Sequence, residues 1–84
     1  MVATIADAEQ AIQAAIIKVQ ALGEIPNRPV VIDTAVKRLM MADTEEADAR
    51  DLVARAVTAM RQRGVLHAHE GPYNIWTITE AGHA

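Results

Sequence analysis

The tightest constraint on this chain is a long amphipathic stretch that stops at a glycine and runs directly into two short alternating segments. From Thr44 to Arg63, the residues Ala49, Leu52, Val53, Ala56, Val57 and Met60 recur at three- and four-residue intervals, placing them on one helical face. Thr44 reads as the N-cap. Glu45, Glu46 and Asp48 occupy the turn where the helix dipole favours anions. Arg61 and Arg63 occupy the last turn, where cations are favoured, and Gly64 suits the left-handed position just beyond it. Two strand patterns follow, Val65–His69 and Asn74–Thr79, joined across Glu70–Tyr73 with Gly71-Pro72 as the turn. Alternation puts Leu66 and Ala68 on one face with His67 and His69 on the other, and it pairs Trp76 with Ile78 against Ile75 and Thr77. Trp76 is therefore expected in the core, packed onto the long helix beside Ile78 and Leu66.

The run Ile75-Trp-Thr-Ile-Thr-Glu-Ala-Gly82, following such a helix, resembles the closing wing strand of MarR-like and PadR-like regulators. It is closer still to the N-terminal winged-helix domain of Mrr-type restriction enzymes. The resemblance covers about Pro29 to Gly82. It implies a winged helix-turn-helix: mainly α, with three helices and a two- or three-stranded antiparallel wing. Its motifs are short and bear on fold more than on function.

Upstream of the long helix, Ile5, Ala8, Ile12, Ala15, Val19 and Leu22 mark a first helix over residues 4–22, widened by Ile16. Thr4 or Asp7 can cap or charge its start. Its far side carries Ala6, Gln10, Ala14, Ile17 and Ala21, where a one-sided surface helix would show charges. This second stripe reads either as alanines with one stray surface isoleucine or as a homodimer interface through Ala14, Ile17 and Ala21. Residues 23–29 form the linker, with Gly23 as the helix stop and Pro26 and Pro29 forbidding helix. Val30-Val31-Ile32 reads as a third short strand or as the opening turn of a second helix over about 32–42. That helix has Asp33 as its candidate N-cap and Ile32, Ala35, Val36, Leu39 and Met40 as its apolar face. The whole chain, residues 1–84, is expected to form a single domain.

With 51% hydrophobic but only 2% aromatic residues, the core must be built from aliphatics, Met and Ala. The absence of Cys removes disulfides and thiolate metal sites, and it suits a reducing, cytoplasmic compartment. No apolar run reaches the roughly 18 residues a membrane span needs. His67 and His69 could chelate a metal, but a third ligand would have to come from Glu70 or Glu80. The expected reading is two solvent-facing wing residues, with no metal and no cofactor. No nucleophile–base constellation, phosphate-cradling glycine loop or carboxylate pair in a cleft is legible, so a non-enzyme is expected.

The leading function is a small DNA-binding regulator, because most domains of this resemblance bind DNA, and the alternative is a protein-interaction adaptor. For duplex DNA, the outward side of the third helix (residues 45–63) would offer Arg50, Arg55, Thr58 and Gln62 to the groove. Lys37, Arg38 and the wing residues Tyr73 and Asn74 would hold the backbone. Against DNA stand a net charge of −3 and five carboxylates with one Arg between Asp43 and Asp51, at the end of the helix that would enter the groove. The same acidic, alanine-lined face (Ala47, Ala54, Thr58) suits docking of a protein partner. In its small size the chain resembles the compact regulators and host-interacting proteins that phages and mobile elements encode.

Overall fold

The structure is a computed structural model that describes residues 3–69 and 75–78. Three helices, α1 (Ile5–Ala21), α2 (Arg28–Met41) and α3 (Glu46–Gln62), precede a two-stranded antiparallel sheet of β1 (Leu66–Ala68) and β2 (Trp76–Ile78). The molecule is mainly helical with a small β-wing, as the sequence indicates. The strand register is Leu66↔Ile78, His67↔Thr77 and Ala68↔Trp76. Leu66 and Trp76 are buried and His67 is exposed, so the alternation read from the sequence holds.

α1 starts where Thr4 and Asp7 cap each other. The Asp7 backbone N–H donates to Thr4 Oγ1 at 3.2 Å, and the Thr4 N–H donates to Asp7 Oδ2 at 2.8 Å. The helices meet through Ile12, Ile16, Val31, Val36, Val53 and Met60 around buried alanines such as Ala8, Ala35 and Ala56. Alanine at these contacts lets the helix backbones approach closely, which is how a core almost without aromatics is closed. Trp76 is 2% exposed and joins this cluster from β2. Between β1 and α3, Gly64 takes φ +74, the left-handed position that glycine occupies at least cost.

Four local features differ from the sequence reading. α2 begins at Arg28, not near residue 32, because Asn27 and not Asp33 is its N-cap. Asn27 Oδ1 accepts the Val30 N–H at 3.1 Å. Pro29 sits in the first turn, where a missing N–H costs nothing, so this proline starts the helix and does not forbid it. Asp33 lies one turn further in and pairs with Lys37 at 3.0 Å. Val30-Val31-Ile32 is accordingly helical. The third member of the wing is instead a single bridge between Asn27 and Ile75, with the Trp76 N–H donating to Pro26 O at 2.8 Å.

Thr44 does not cap α3. Glu45 holds that position without a side-chain hydrogen bond, and Thr44 Oγ1 is buried with no partner among the described residues. Asp43 at φ +66 turns the chain so that the Thr44 N–H reaches back to Leu39 O at 3.1 Å. Finally, Ile5, Leu22 and Met40, which share the apolar periodicity of their helices, are exposed. Ile5 and Leu22 lie where α1 begins and ends, and Met40 lies in the last turn of α2, so periodicity outruns the packed interface there.

Candidate interaction surfaces

The outward face of α3 is set by the burial of Ala49, Val53, Ala56 and Met60, which leaves Ala47, Asp51, Ala54, Arg55, Thr58 and Gln62 exposed. Arg55 is there and Arg50 flanks it, about 140° round the helix, and each lies four residues after a carboxylate and pairs with it. Arg50 Nε stands 3.5 Å from Glu46 Oε2, and Arg55 Nε stands 3.0 Å from Asp51 Oδ2. Lys37 repeats the arrangement on α2 with Asp33. Thr58 turns its hydroxyl inward along the helix and donates to Ala54 O at 3.2 Å. Between Arg28 and Gln62 the chain carries six cations (Arg28, Lys37, Arg38, Arg50, Arg55, Arg61) and six carboxylates (Asp33, Asp43, Glu45, Glu46, Asp48, Asp51). The charges cancel overall and separate locally, with the acids gathered at the start of α3.

Arg28 and Arg61 have no ion-pair partner among the described residues. They line one hollow together with Thr58, Gln62 and Trp76. Arg28 also borders a second hollow beside Arg50 and Asp33. The first turn of α2 and the last turns of α3 thus bring two cations without ion pairs to one hollow. Arg28 falls in the segment read as linker, so the sequence reading missed it. Asn27 followed two residues later by Pro29 is the signal that would have placed it on a helix. Arg38 lies elsewhere, in a hollow with Asp7, Gln10 and Met41 between α1 and the end of α2. Tyr73 and Asn74 lie outside the described residues. Of the proposed DNA contacts, then, Arg55, Thr58 and Gln62 share the outward α3 face and Arg50 flanks it, while Lys37 and Arg38 sit on α2 and Arg38 borders a different hollow.

Arg63, at the C-cap of α3, is exposed and ties the end of α3 to α1. Its guanidinium forks onto Glu9 of α1, with Nη1 donating to Oε2 at 3.2 Å and Nη2 donating to Oε1. The hydrogen bond and charge of Glu9 raise the Arg63 pKa above its usual value. On the wing, His69 Nε2 lies 2.9 Å from Thr77 Oγ1 on the facing strand, and the His67 and His69 rings are 6.2 Å apart. Among the described residues, no group of three or more His, Asp or Glu side chains converges as a metal site would require.

The outer face of α1 is exposed along most of its length. Ala6, Gln10 and Ala21 are open, Ala14 is half-buried, and Ile17 is 65% exposed. Met41, at the end of α2, is 87% exposed and borders the hollow that also holds Gln10 and Asp7. No described helix is long and apolar enough to cross a membrane. No protein-family model, curated protein or solved structure matches this chain.

Proposed function

We propose that this chain is a protein-interaction module of winged helix-turn-helix form that works as a homodimer and presents the acidic leading end of α3 to its partner. The carrying observation is that Arg50 and Arg55 each pair with a carboxylate one turn earlier on the same face. Exposed pairs of this kind are worth about 0–1 kcal/mol, so they do not lock the arginines in place. What matters is the remainder. If either arginine swung to a phosphate, Glu46 or Asp51 would stay behind, facing the same polyanion. DNA affinity depends on neutralising phosphates and releasing their counterions, and the N-terminal part of a recognition helix goes deepest into the groove. Glu46, Asp48 and Asp51 occupy that part, with Glu45 at its cap and Asp43 in the turn before it. A basic or amide-rich protein surface would meet the same residues favourably. The cytoplasm is the compartment that suits such a Cys-free module.

A small DNA-binding regulator is the second reading, and the Arg28–Arg61 hollow supports it. DNA would then lie along the start of α2 and the last turns of α3, with Gln62 beside it. Fluorescence anisotropy with mixed duplex fragments at about 50 mM salt separates the two. The adaptor reading expects no binding by the wild type or by Asp51→Asn. The regulator reading expects binding that Asp51→Asn strengthens and Arg61→Ala weakens, with a log–log salt slope of magnitude roughly 4–8 for a dimer. For the adaptor itself, cross-linking in the native cell should yield a protein retained by the wild type and lost with Asp48→Asn/Asp51→Asn. A partner held equally by that variant refutes the α3 surface.

The homodimer belongs to the same proposal and uses Ala14, Ile17 and Ala21 on α1. Sedimentation at micromolar concentration should give twice the chain mass, and Ile17→Lys should return it to the monomer. A monomer at every concentration refutes the dimer.

A further inference from the structure

The outer stripe of α1 is asymmetric along its length, and this asymmetry specifies how a second copy would lie on it. At the C-terminal end stand the large apolar groups Ile17 and Leu22, each 65% exposed, with Ala21 beside them. At the other end the stripe is small and polar, Ala6 and Gln10, but Met41 of α2 stands beside it across the hollow lined by Asp7 and Gln10. The stripe also has one charged edge. Asp7 and Lys18 are 11 residues apart, close to three helical turns, so they project within roughly 20° of each other on that edge. Both are exposed, and neither forms an ion pair with another described residue; Asp7 Oδ2 also accepts the Thr4 N–H at the start of α1, and Arg38 lines the hollow beside it. The Met41 hollow opens on this same edge, since Asp7 lines it.

We propose that two copies of this chain pair through α1 in the antiparallel sense, with Asp7 of each helix against Lys18 of the other and Met41 of each against the Ile17–Leu22 end of the other. The inference rests on the α1 homodimer proposed above and adds its orientation. A twofold axis perpendicular to two antiparallel helices sets like edges against each other and opposite ends level. Asp7 then meets the partner's Lys18 twice, and Met41 meets the partner's Ile17–Leu22 end twice. The parallel alternative sets the charged edge of one helix against the Ala6–Gln13 edge of the other. It leaves Asp7 and Lys18 unpaired and Met41 stranded at the polar end. Charge complementarity and apolar coverage therefore select the same arrangement. The alanines allow the close helix approach, of about 8 Å between axes, that brings short side chains into contact.

The midpoint between Asp7 and Lys18 falls beside Gln13, which is exposed. In the antiparallel pair, Gln13 faces its own copy across the axis, whereas the two Ala21 positions lie about 25 Å apart along the helices. The chain has no native cysteine, so single-cysteine variants report cleanly. Under mild oxidation, Gln13→Cys should yield a covalent dimer and Ala21→Cys should not. A covalent dimer of Ala21→Cys overturns the antiparallel pairing while leaving the α1 dimer standing. A dimer by sedimentation that neither variant cross-links overturns both, as does a chain that sediments as a monomer throughout. As an independent measure, Lys18→Glu should raise the dimer dissociation constant about tenfold by setting like charges together at two sites. Asp7→Lys also removes the α1 cap, so the double variant is compared with Asp7→Lys alone, against which Lys18→Glu should tighten the dimer. No recovery on combining the two refutes the Asp7–Lys18 register.

Discussion

Replacing Trp76 by alanine is the sharpest perturbation of this fold, because its side chain joins the wing to the helical core. Trp76 is 2% exposed, belongs to the single buried cluster, and its backbone N–H ties Pro26 to the sheet. Truncating a buried tryptophan costs about 3–5 kcal/mol, the lost transfer energy plus an unfilled cavity. At roughly 0.05–0.15 kcal/mol per residue, a chain of 84 residues has about 4–13 kcal/mol of stability to lose. The variant should therefore melt about 12–40 °C lower, at 4–8 °C per kcal/mol for a domain of this size. At the low end of the stability range it will be largely unfolded at 37 °C. Circular dichroism at the helical band is the assay, since the substitution removes the only tryptophan. The wild type supplies the companion measurement, a blue-shifted emission poorly quenched by acrylamide. Trp76→Phe, which keeps most of the apolar volume, should lose less than half as much. A Trp76→Ala melting point within a few degrees of the wild type, or a red, freely quenched wild-type emission, refutes the placement of Trp76 in the core.

Thr44→Val removes a hydroxyl that is buried without a partner and keeps the branched shape, so urea unfolding should show a gain of about 1 kcal/mol. A loss would mean that the hydroxyl is bonded in solution. Asn27→Ala removes the cap of α2 and should cost about 1 kcal/mol, whereas Asp33→Ala, one turn inside the helix, should change stability by less than about 0.5 kcal/mol. The reverse order would return the start of α2 to residue 33. Gly64→Ala should cost about 1–2 kcal/mol from its φ of +74 alone, because nothing lies within 4 Å of the added methyl; a neutral effect would contradict that backbone angle.

Periodicity made α3, the inward faces of α1 and α2, and the strand alternation around Trp76 legible in advance, because each is a repeat of side-chain type along a single element. Gly64 was legible for the same local reason, since a helix that ends in the left-handed region asks for glycine. The α2 boundary was legible too, but it was misread: an asparagine cap two residues before a proline competes with the habit of treating proline as a breaker, and only the Val30 N–H bonded to Asn27 decides between them. Other features depend on which elements lie side by side, and no sequence pattern carries that. Arg63 forks onto Glu9 across 54 positions of chain, Met41 comes to stand beside α1, and Arg28 joins Arg61 in one hollow. The pairings that blunt Arg50 and Arg55 were spaced for in the sequence, four residues from Glu46 and Asp51. Whether those arginines face outward with their carboxylates or turn elsewhere was settled by the packing of Ala49, Val53, Ala56 and Met60. The sequence determined the elements and the faces they would bury, because local backbone and side-chain preferences act within a few residues. The tertiary structure decided which charges stand free and which apolar groups stay exposed, because both are set by neighbours distant in the chain.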